Sequence, residues 1–243
     1  MDSIAKIIDK LPDTTSTSIS KKLLKTKTIC KVCNKIFEYK YDPDKENPIR
    51  DICSDKCREI FYQQLYQKRL LVMPKKFRSI DCDNRNMVIQ GRDHSLFITG
   101  RPGVGKTVLM AGIVKELLKK NNNKVKWISY PEFIMTLQSQ FKKENGSPYD
   151  MAESIADFEG TLCIDDIGAE KMTAFVQQIT YYVINHREQE MLHTVITSNY
   201  SLQEIDNQID ERVSSRIAGM CKIIKMTGKD RRLENDNKRE VKI

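Results

Sequence analysis

The stretch Gly100-Arg101-Pro102-Gly103-Val104-Gly105-Lys106-Thr107 constrains this chain more than any other. It reads G-x4-G-K-T, and its surroundings suit that motif. The residues before it, Ser95 to Thr99, read as a buried strand. Those after it, Thr107 to Lys120, read as a helix with Val108, Leu109, Ile113, Leu117 and Leu118 on an apolar face. A strand, a glycine-rich turn and a helix in this order place free N–H groups and the positive end of a helix dipole around an anion. Lys106 is the cation for the β/γ-phosphates of a nucleotide, and the Thr107 hydroxyl is a ligand for Mg²⁺.

A phosphate loop requires an acid at the end of another strand. Thr161-Leu162-Cys163-Ile164-Asp165-Asp166-Ile167-Gly168 supplies two. Four mostly apolar residues run into the pair, the pattern of a parallel strand covered on both faces. Asp165 is the Mg²⁺-side acid, and Asp166 is placed to orient or deprotonate an attacking water. A third strand, Thr194 to Ser198, ends in Thr197-Ser198-Asn199, with Asn199 within reach of the γ-phosphate or the water. In Glu211-Arg212-Val213-Ser214-Ser215-Arg216-Ile217 the two arginines are four apart and share one helix face.

Strands at 95–99, 124–130, 161–167, 193–198 and 221–226 alternate with helices at 106–120, 172–188 and within 131–158 and 202–218. Such alternation predicts a parallel sheet with helices on both faces. The polar stretch 227–243 is expected to fray.

Seven cysteines occur in 243 residues, and four of them read Cys30-x2-Cys33, a gap of 19, then Cys53-x3-Cys57. Two short pairs on tight turns suit tetrahedral Zn²⁺, and four thiolates leave no open position for a catalytic water. Thr28 to Lys35 reads as a metal-binding knuckle, Ile36–Tyr41 as a strand, and the helical stretch opened by Cys57 runs to Arg69. The other cysteines, Cys82, Cys163 and Cys221, are isolated, so no disulfide framework is expected. Asp51 and Asp55 read as solvated loop residues. Charge divides the chain in the same way. Residues 1–78 carry 18 Lys/Arg against 10 Asp/Glu, whereas residues 79–243 carry 23 of each. A basic front module suits nucleic acid or an acidic protein surface, or is a solubilising face. The expected organisation is a flexible N-terminus (1–20), a four-cysteine module (21–73), a nucleotide-binding domain (74–232) and a polar tail (233–243). Residues 1–10 read as a frayed end or a short amphipathic helix. No apolar run is long enough to span a bilayer, and the first residues lack the pattern of a secretory signal, so a cytoplasmic setting is expected.

Taken together, Gly100–Thr107, the run IDDIGAE from Ile164 to Glu170, TSN at 197–199 and ERVSSRI at 211–217 resemble the AAA+ ATPases, and within them the DnaC/DnaI type of helicase loader. The likeness covers roughly residues 70–232. It implies an α/β AAA+ fold with ATP and Mg²⁺ as cofactors and slow, DNA- or partner-stimulated ATPase activity. Residues Gly100 to Thr107 and Asp165 would bind nucleotide, and Asp166, Asn199 and Arg216 would be catalytic, with Arg216 acting on a neighbouring subunit. Arg231 or Arg232 would take the sensor 2 position. The second acid is Asp where most AAA+ proteins have Glu. The helical lid of the larger AAA+ proteins is expected to be absent, as in the loaders.

The implied partners are a DnaB-type hexameric helicase gripped by the zinc module, single-stranded DNA, and further copies of the chain in an ATP-dependent oligomer. Such a protein works in a bacterial cell, encoded by the chromosome, a phage or a plasmid. Tyr130, Phe133, Phe141, Lys142 and Lys143 are DNA-contact candidates, although Phe133 and Phe141 also suit a helix core. Between Phe77 and Ser95 there is little room for the helix that usually precedes the phosphate loop. The adenine pocket is therefore shallower, or built partly from Phe77 and Ile80. A transposition helper of the IstB type and a non-catalytic, nucleotide-bound adaptor or helicase inhibitor are the alternatives.

Overall fold

A computed structural model describes residues 24–41, 51–119, 124–143 and 146–231. The expected features of residues 1–20 and 233–243, and Arg232, lie outside the described residues. The chain divides at Gln64–Leu65 into two compact units. The expected boundary, after residue 73, lies further along the chain. Leu70 and Met73 are buried in a core of the second unit, so residues 65–73 belong with the nucleotide-binding domain.

The first unit is built on an antiparallel hairpin, β1 (Leu24–Ile29) and β2 (Ile36–Tyr41), with Ile29 paired to Ile36. A tight turn joins them. Asn34 adopts φ 57°, and its N–H donates to the Cys30 carbonyl at 2.9 Å. Helix α1 (Asp55–Arg69) opens just before Cys57. Cys30, Ile52 and Cys57 form a small buried cluster with Val32, Phe37, Cys53 and Phe61 against it. Such a core is too small to hold a module by itself.

The second unit is a five-stranded parallel sheet in the order β4-β5-β6-β3-β7. The strands are β3 (Leu96–Thr99), β4 (Val125–Ser129), β5 (Thr161–Ile167), β6 (Thr194–Ser198) and β7 (Lys222–Lys225). Every residue of β3 and β6 is buried, as apolar runs in central parallel strands require. The edge strand β7, Lys-Ile-Ile-Lys, is mostly exposed.

Helices cover both faces. On one side, α3 (Arg85–Asp93) and α4 (Lys106–Lys119) pack on Leu96, Ile98 and Val195. The other core takes residues of α5 (Tyr130–Gln140), α6 (Pro148–Ala156), α7 (Ala174–Gln189), α8 (Leu202–Gln208) and α9 (Glu211–Met220). Side-chain caps begin several of these helices. Thr173 caps α7, Asp210 caps α9, and Ser201 with Glu204 forms a reciprocal capping box on α8. Among the described residues no helix is long and apolar enough to cross a membrane.

Two expectations are corrected. The nine-residue α3 occupies the interval between Phe77 and Ser95, where little room for a helix is expected, and a short helix, α2 (Lys75–Arg78), precedes it. Asn84 precedes α3 without a side-chain cap. Packing of α3 on α4 through Val88 and Gly91 compensates, with no room for a Cβ at Gly91 against Ile113. The segment after β7 does not fray at once. Met226 donates its N–H to the Thr99 carbonyl (2.7 Å), and Arg231 donates its N–H to the Gly103 carbonyl (3.1 Å), so the chain returns to the phosphate loop.

At the opposite edge of the sheet, Arg187 is fully buried. Its Nε donates to Thr194 Oγ1 (2.8 Å), Nη1 to the carbonyls of Ala156 and Phe158, and Nη2 to those of Gly160 and His193. The guanidinium thus joins the end of α6, the entry to β5 and the entry to β6, while burial pushes its pKa down to about 10. Arg187→Ala would strand several buried acceptors. It is expected to cost at least ~3 kcal/mol in urea unfolding, with Arg187→Lys intermediate.

Candidate nucleotide and metal sites

The sheet register brings the functional residues to one edge. Thr99 pairs with Ser198 and Lys225, and Ser129 with Asp165, so the carboxyl ends of the five strands lie together. Open α/β sheets bind ligands at this edge. A cavity of about 630 Å³ opens there. Its lining includes Pro102, Gly103, Gly105, Lys106 and Thr107 from the loop, Asp165, Asp166 and Asn199 from strand ends, and Phe77 and Ile80. Gly100, Arg101 and Val104 complete the loop, with Val104 turned into the core.

The loop's conformation depends on its glycines. Gly103 has φ +80°, and a Cβ there would collide with the Asp230 carboxylate, which the returning C-terminal segment lays against it. Arg231, next along that segment, lines the cavity beside Gly105. Lys106 is largely buried, and its Nζ donates to the carbonyls of Gly100 (2.8 Å) and Arg101 (3.1 Å) and to Asn199 Oδ1 (2.7 Å). Asn199 Nδ2 in turn donates to Asp166 Oδ1 (2.8 Å). One chain of contacts therefore links the loop lysine, the end of β6 and the second acid.

Asp165 Oδ1 accepts from the hydroxyls of Thr107 (3.0 Å) and Thr197 (2.6 Å). Burial raises its pKa, and those two hydroxyls partly offset the rise. A hydroxyl that donates to a carboxylate keeps its lone pairs free for a cation, so Thr107 and Asp165 together make a hard-oxygen donor set that fits Mg²⁺. Asp166 adopts φ 65°, an uncommon conformation for a residue with a Cβ. Its N–H donates to Thr197 Oγ1 at 2.9 Å.

Arg216 is not among the residues lining this cavity. It lies on α9, where Nη1 donates to Glu188 Oε2 of α7 at 3.1 Å. Arg212 is tied more firmly. Its Nε and Nη2 bond both carboxylate oxygens of Asp210, and its guanidinium sits over the Tyr181 ring at 4.5 Å.

Among the DNA-contact candidates, Tyr130 and Phe133 are buried in the core and cannot reach a strand of DNA. Tyr130 bonds the Thr180 hydroxyl at 2.6 Å. Phe141 is 59% exposed and meets Phe175 edge-on at 5.1 Å, with the half-exposed Tyr149 also edge-on to Phe175 at 6.5 Å. Lys142 and Lys143 beside it are exposed. Sequence reading missed Tyr149 and Phe175 because α6 and α7 bring them to Phe141 from distant positions. It also assigned no role to Thr197, a polar residue at the end of an apolar strand.

In the first unit, the Sγ atoms of Cys30, Cys33, Cys53 and Cys57 all lie within 4.8 Å of one another, with Cys33–Cys53 at 3.5 Å and Cys53–Cys57 at 3.6 Å. Tetrahedral Zn–S bonds of ~2.3 Å place sulfurs about 3.8 Å apart, so this donor set fits Zn²⁺. Burial disfavours the Cys30 thiolate, but the N–H groups of Cys33, Cys53 and Val32 outweigh it and bring the thiol down to about 6. Asp51 and Asp55 pair with Lys31 and Arg58 and are not part of the thiol cluster.

Comparison with known proteins identifies the family and the fold. The family model described as the bacterial DnaA ATPase domain matches residues 87–223. The chain belongs to this family. It is 29% identical over 157 residues to the replicative helicase loader DnaI of Bacillus subtilis, covering 61% of this chain and 49% of that protein. It is 24% identical over 127 residues to the replicative helicase loader DnaC of Escherichia coli, covering 52% and 51%. These matches span about half the length of each relative. A crystal structure of DnaI has the same fold, with a TM-score of 0.54 at 23% identity over 64% of this chain and 95% of that one. The resemblance to AAA+ helicase loaders read from the sequence is borne out, as is the α/β fold.

Metal analysis of the purified chain is expected to give one zinc per molecule. Cys33→Ser should lose it, and a chelator should collapse the first unit while leaving unfolding of the second unchanged.

Proposed function

We propose that this chain is an ATP-dependent loader that places a DnaB-type hexameric helicase on single-stranded DNA during replication initiation. The observation that carries this reading is the convergence of Lys106, Thr107, Asp165, Asp166 and Asn199 on one cavity in a chain related to named helicase loaders. In this reading the N–H groups of the 100–107 loop and Lys106 hold the phosphates. Bound Mg²⁺ would supply charge neutralisation there, held by Thr107 and by Asp165 through water. Asp166, steadied by Asn199, orients the attacking water. Phe77 and Ile80 give the base an apolar wall.

Arg216 completes the site of a neighbouring copy, which its position outside the chain's own cavity and its part-exposed side chain support. The zinc module of the first unit, which ends at Gln64, grips the helicase. ATP serves as a switch for assembly, and turnover is slow.

Native mass measurement of the chain mixed with DnaB-type hexamers tests this. A complex that forms with a non-hydrolysable ATP analogue and needs residues 1–64 is expected, whereas binding of DNA without any helicase overturns the reading. Lys106→Ala removes a charge-assisted contact and should weaken ATP binding about 10–100-fold. Trp127, the sole tryptophan, stacks on Phe77 at 6.0 Å, so its fluorescence reports the binding.

The exposed Phe141 and Tyr149, both packed on the part-buried Phe175 and flanked by Lys142 and Lys143, support single-strand contact, since bases stack on aromatic faces and phosphates meet lysines. Phe141→Ala is expected to weaken binding of an oligonucleotide about tenfold by anisotropy while ATP affinity stays constant.

A further inference from the structure

Strands β5 and β6 do not run in simple register. Ile164 pairs with Ile196, and Ile167 pairs with Ser198. Two residues of β5, Asp165 and Asp166, therefore stand opposite one residue of β6, Thr197. This is a β-bulge formed by the two acids themselves. A bulge leaves a ladder group unpaired and re-aims the side chains on the bulged strand. Asp166 shows the result in its φ of 65°.

The Thr197 side chain is almost fully buried and repairs the irregularity. Its Oγ1 accepts the Asp166 N–H (2.9 Å), and its hydroxyl hydrogen goes to Asp165 Oδ1 (2.6 Å). Asp165 Oδ1 also takes the Thr107 hydroxyl (3.0 Å). One hydroxyl thus fixes the backbone of the second acid and the carboxylate rotamer of the first.

We propose that Thr197 is the positioning residue for the cation side of the site. Its hydroxyl fixes the Asp165 carboxylate, whose Oδ1 also accepts from Thr107, so that Asp165 and Thr107 together would hold Mg²⁺. It also pins the bulge that aims Asp166. Thr197 is not among the residues that line the cavity. This inference rests on the nucleotide reading above and adds to it a residue that acts only through the two acids.

The test is ATP affinity of the full chain, measured by Trp127 fluorescence, without Mg²⁺ and across a Mg²⁺ titration. Thr197→Val keeps the branched shape and removes the hydroxyl. It is expected to leave Mg²⁺-free ATP affinity within twofold of wild type while raising the Mg²⁺ midpoint about tenfold, the effect of one hydrogen bond to a charged group. Thr197→Ser is expected to restore the wild-type midpoint. Should Thr197→Val fail to fold, Thr197→Cys, with similar volume and a weak donor, takes its place in the same comparison. Equal midpoints in wild type and hydroxyl-free variant, with ATP bound by both, would overturn the role of Thr197 even if the variant melted earlier. Failure of the wild-type chain to bind ATP at all would instead bring down the nucleotide reading, and this inference with it.

Discussion

The second unit depends on a single constraint: its central strands are parallel and buried on both faces. Leu96, Phe97, Ile98, Val195 and Ile196 leave no face for water. Polar chemistry is therefore excluded along the strands and gathers where they end. Parallel pairing puts all the carboxyl ends at one edge, so the glycine loop after β3, the acids of β5 and Asn199 after β6 meet without any one segment encoding their meeting. The opposite edge needs its own solution, because the turns entering β5 and β6 carry inward-facing carbonyls. Arg187 satisfies four of them at once. A buried cation is costly, and here four of its N–H donors meet fixed backbone dipoles and the fifth the Thr194 hydroxyl.

At the functional edge, burial of charge is managed differently. Lys106 is a buried cation, and its acceptors include two loop carbonyls and an amide. Carbonyl dipoles hold an ammonium less strongly than a full negative charge does. A phosphate oxygen is a stronger acceptor for Nζ than any of these three. Through Asn199, the same lysine is linked to Asp166. A change of partner at the loop is thus felt at the second acid two contacts away.

Local patterns made much of this legible in the sequence. The phosphate loop, the acid-ended strand and the paired cysteines are each contiguous, and their chemistry follows from spacing alone. What was not legible depends on distant segments. Helix α3 lacks a side-chain cap and a long apolar stripe, and its packing on α4 through Val88 and Gly91 stabilises it. Tyr130 and Phe133 lie in a helix whose periodicity does not say which face meets the sheet. The structure buries both and leaves Phe141 out. The bulge that gives Thr197 its partners depends on the relative register of two strands, which neither strand's residues reveal. Nor does the polarity of residues 227–231 disclose their backbone bond to Gly103.

The two arginines of α9 show how geometry separates residues that sequence spacing cannot. Both are four apart on one helix face, and either could serve a neighbouring copy. Asp210, the N-cap of α9, accepts the Arg212 N–H and two bonds from its guanidinium, which has an aromatic ring beneath it. That contact holds the Asp210 carboxyl below its usual pKa. Freeing Arg212 would therefore give up the N-cap geometry as well as an ion pair. Arg216 has one bond to Glu188, with both side chains part-exposed. A pair of that kind contributes about 0–1 kcal/mol. A concentrated negative charge, such as a phosphate presented by another copy, readily exceeds it. The energetic asymmetry supports the proposed role of Arg216 toward a neighbouring copy and leaves Arg212 as the arginine that holds the start of α9.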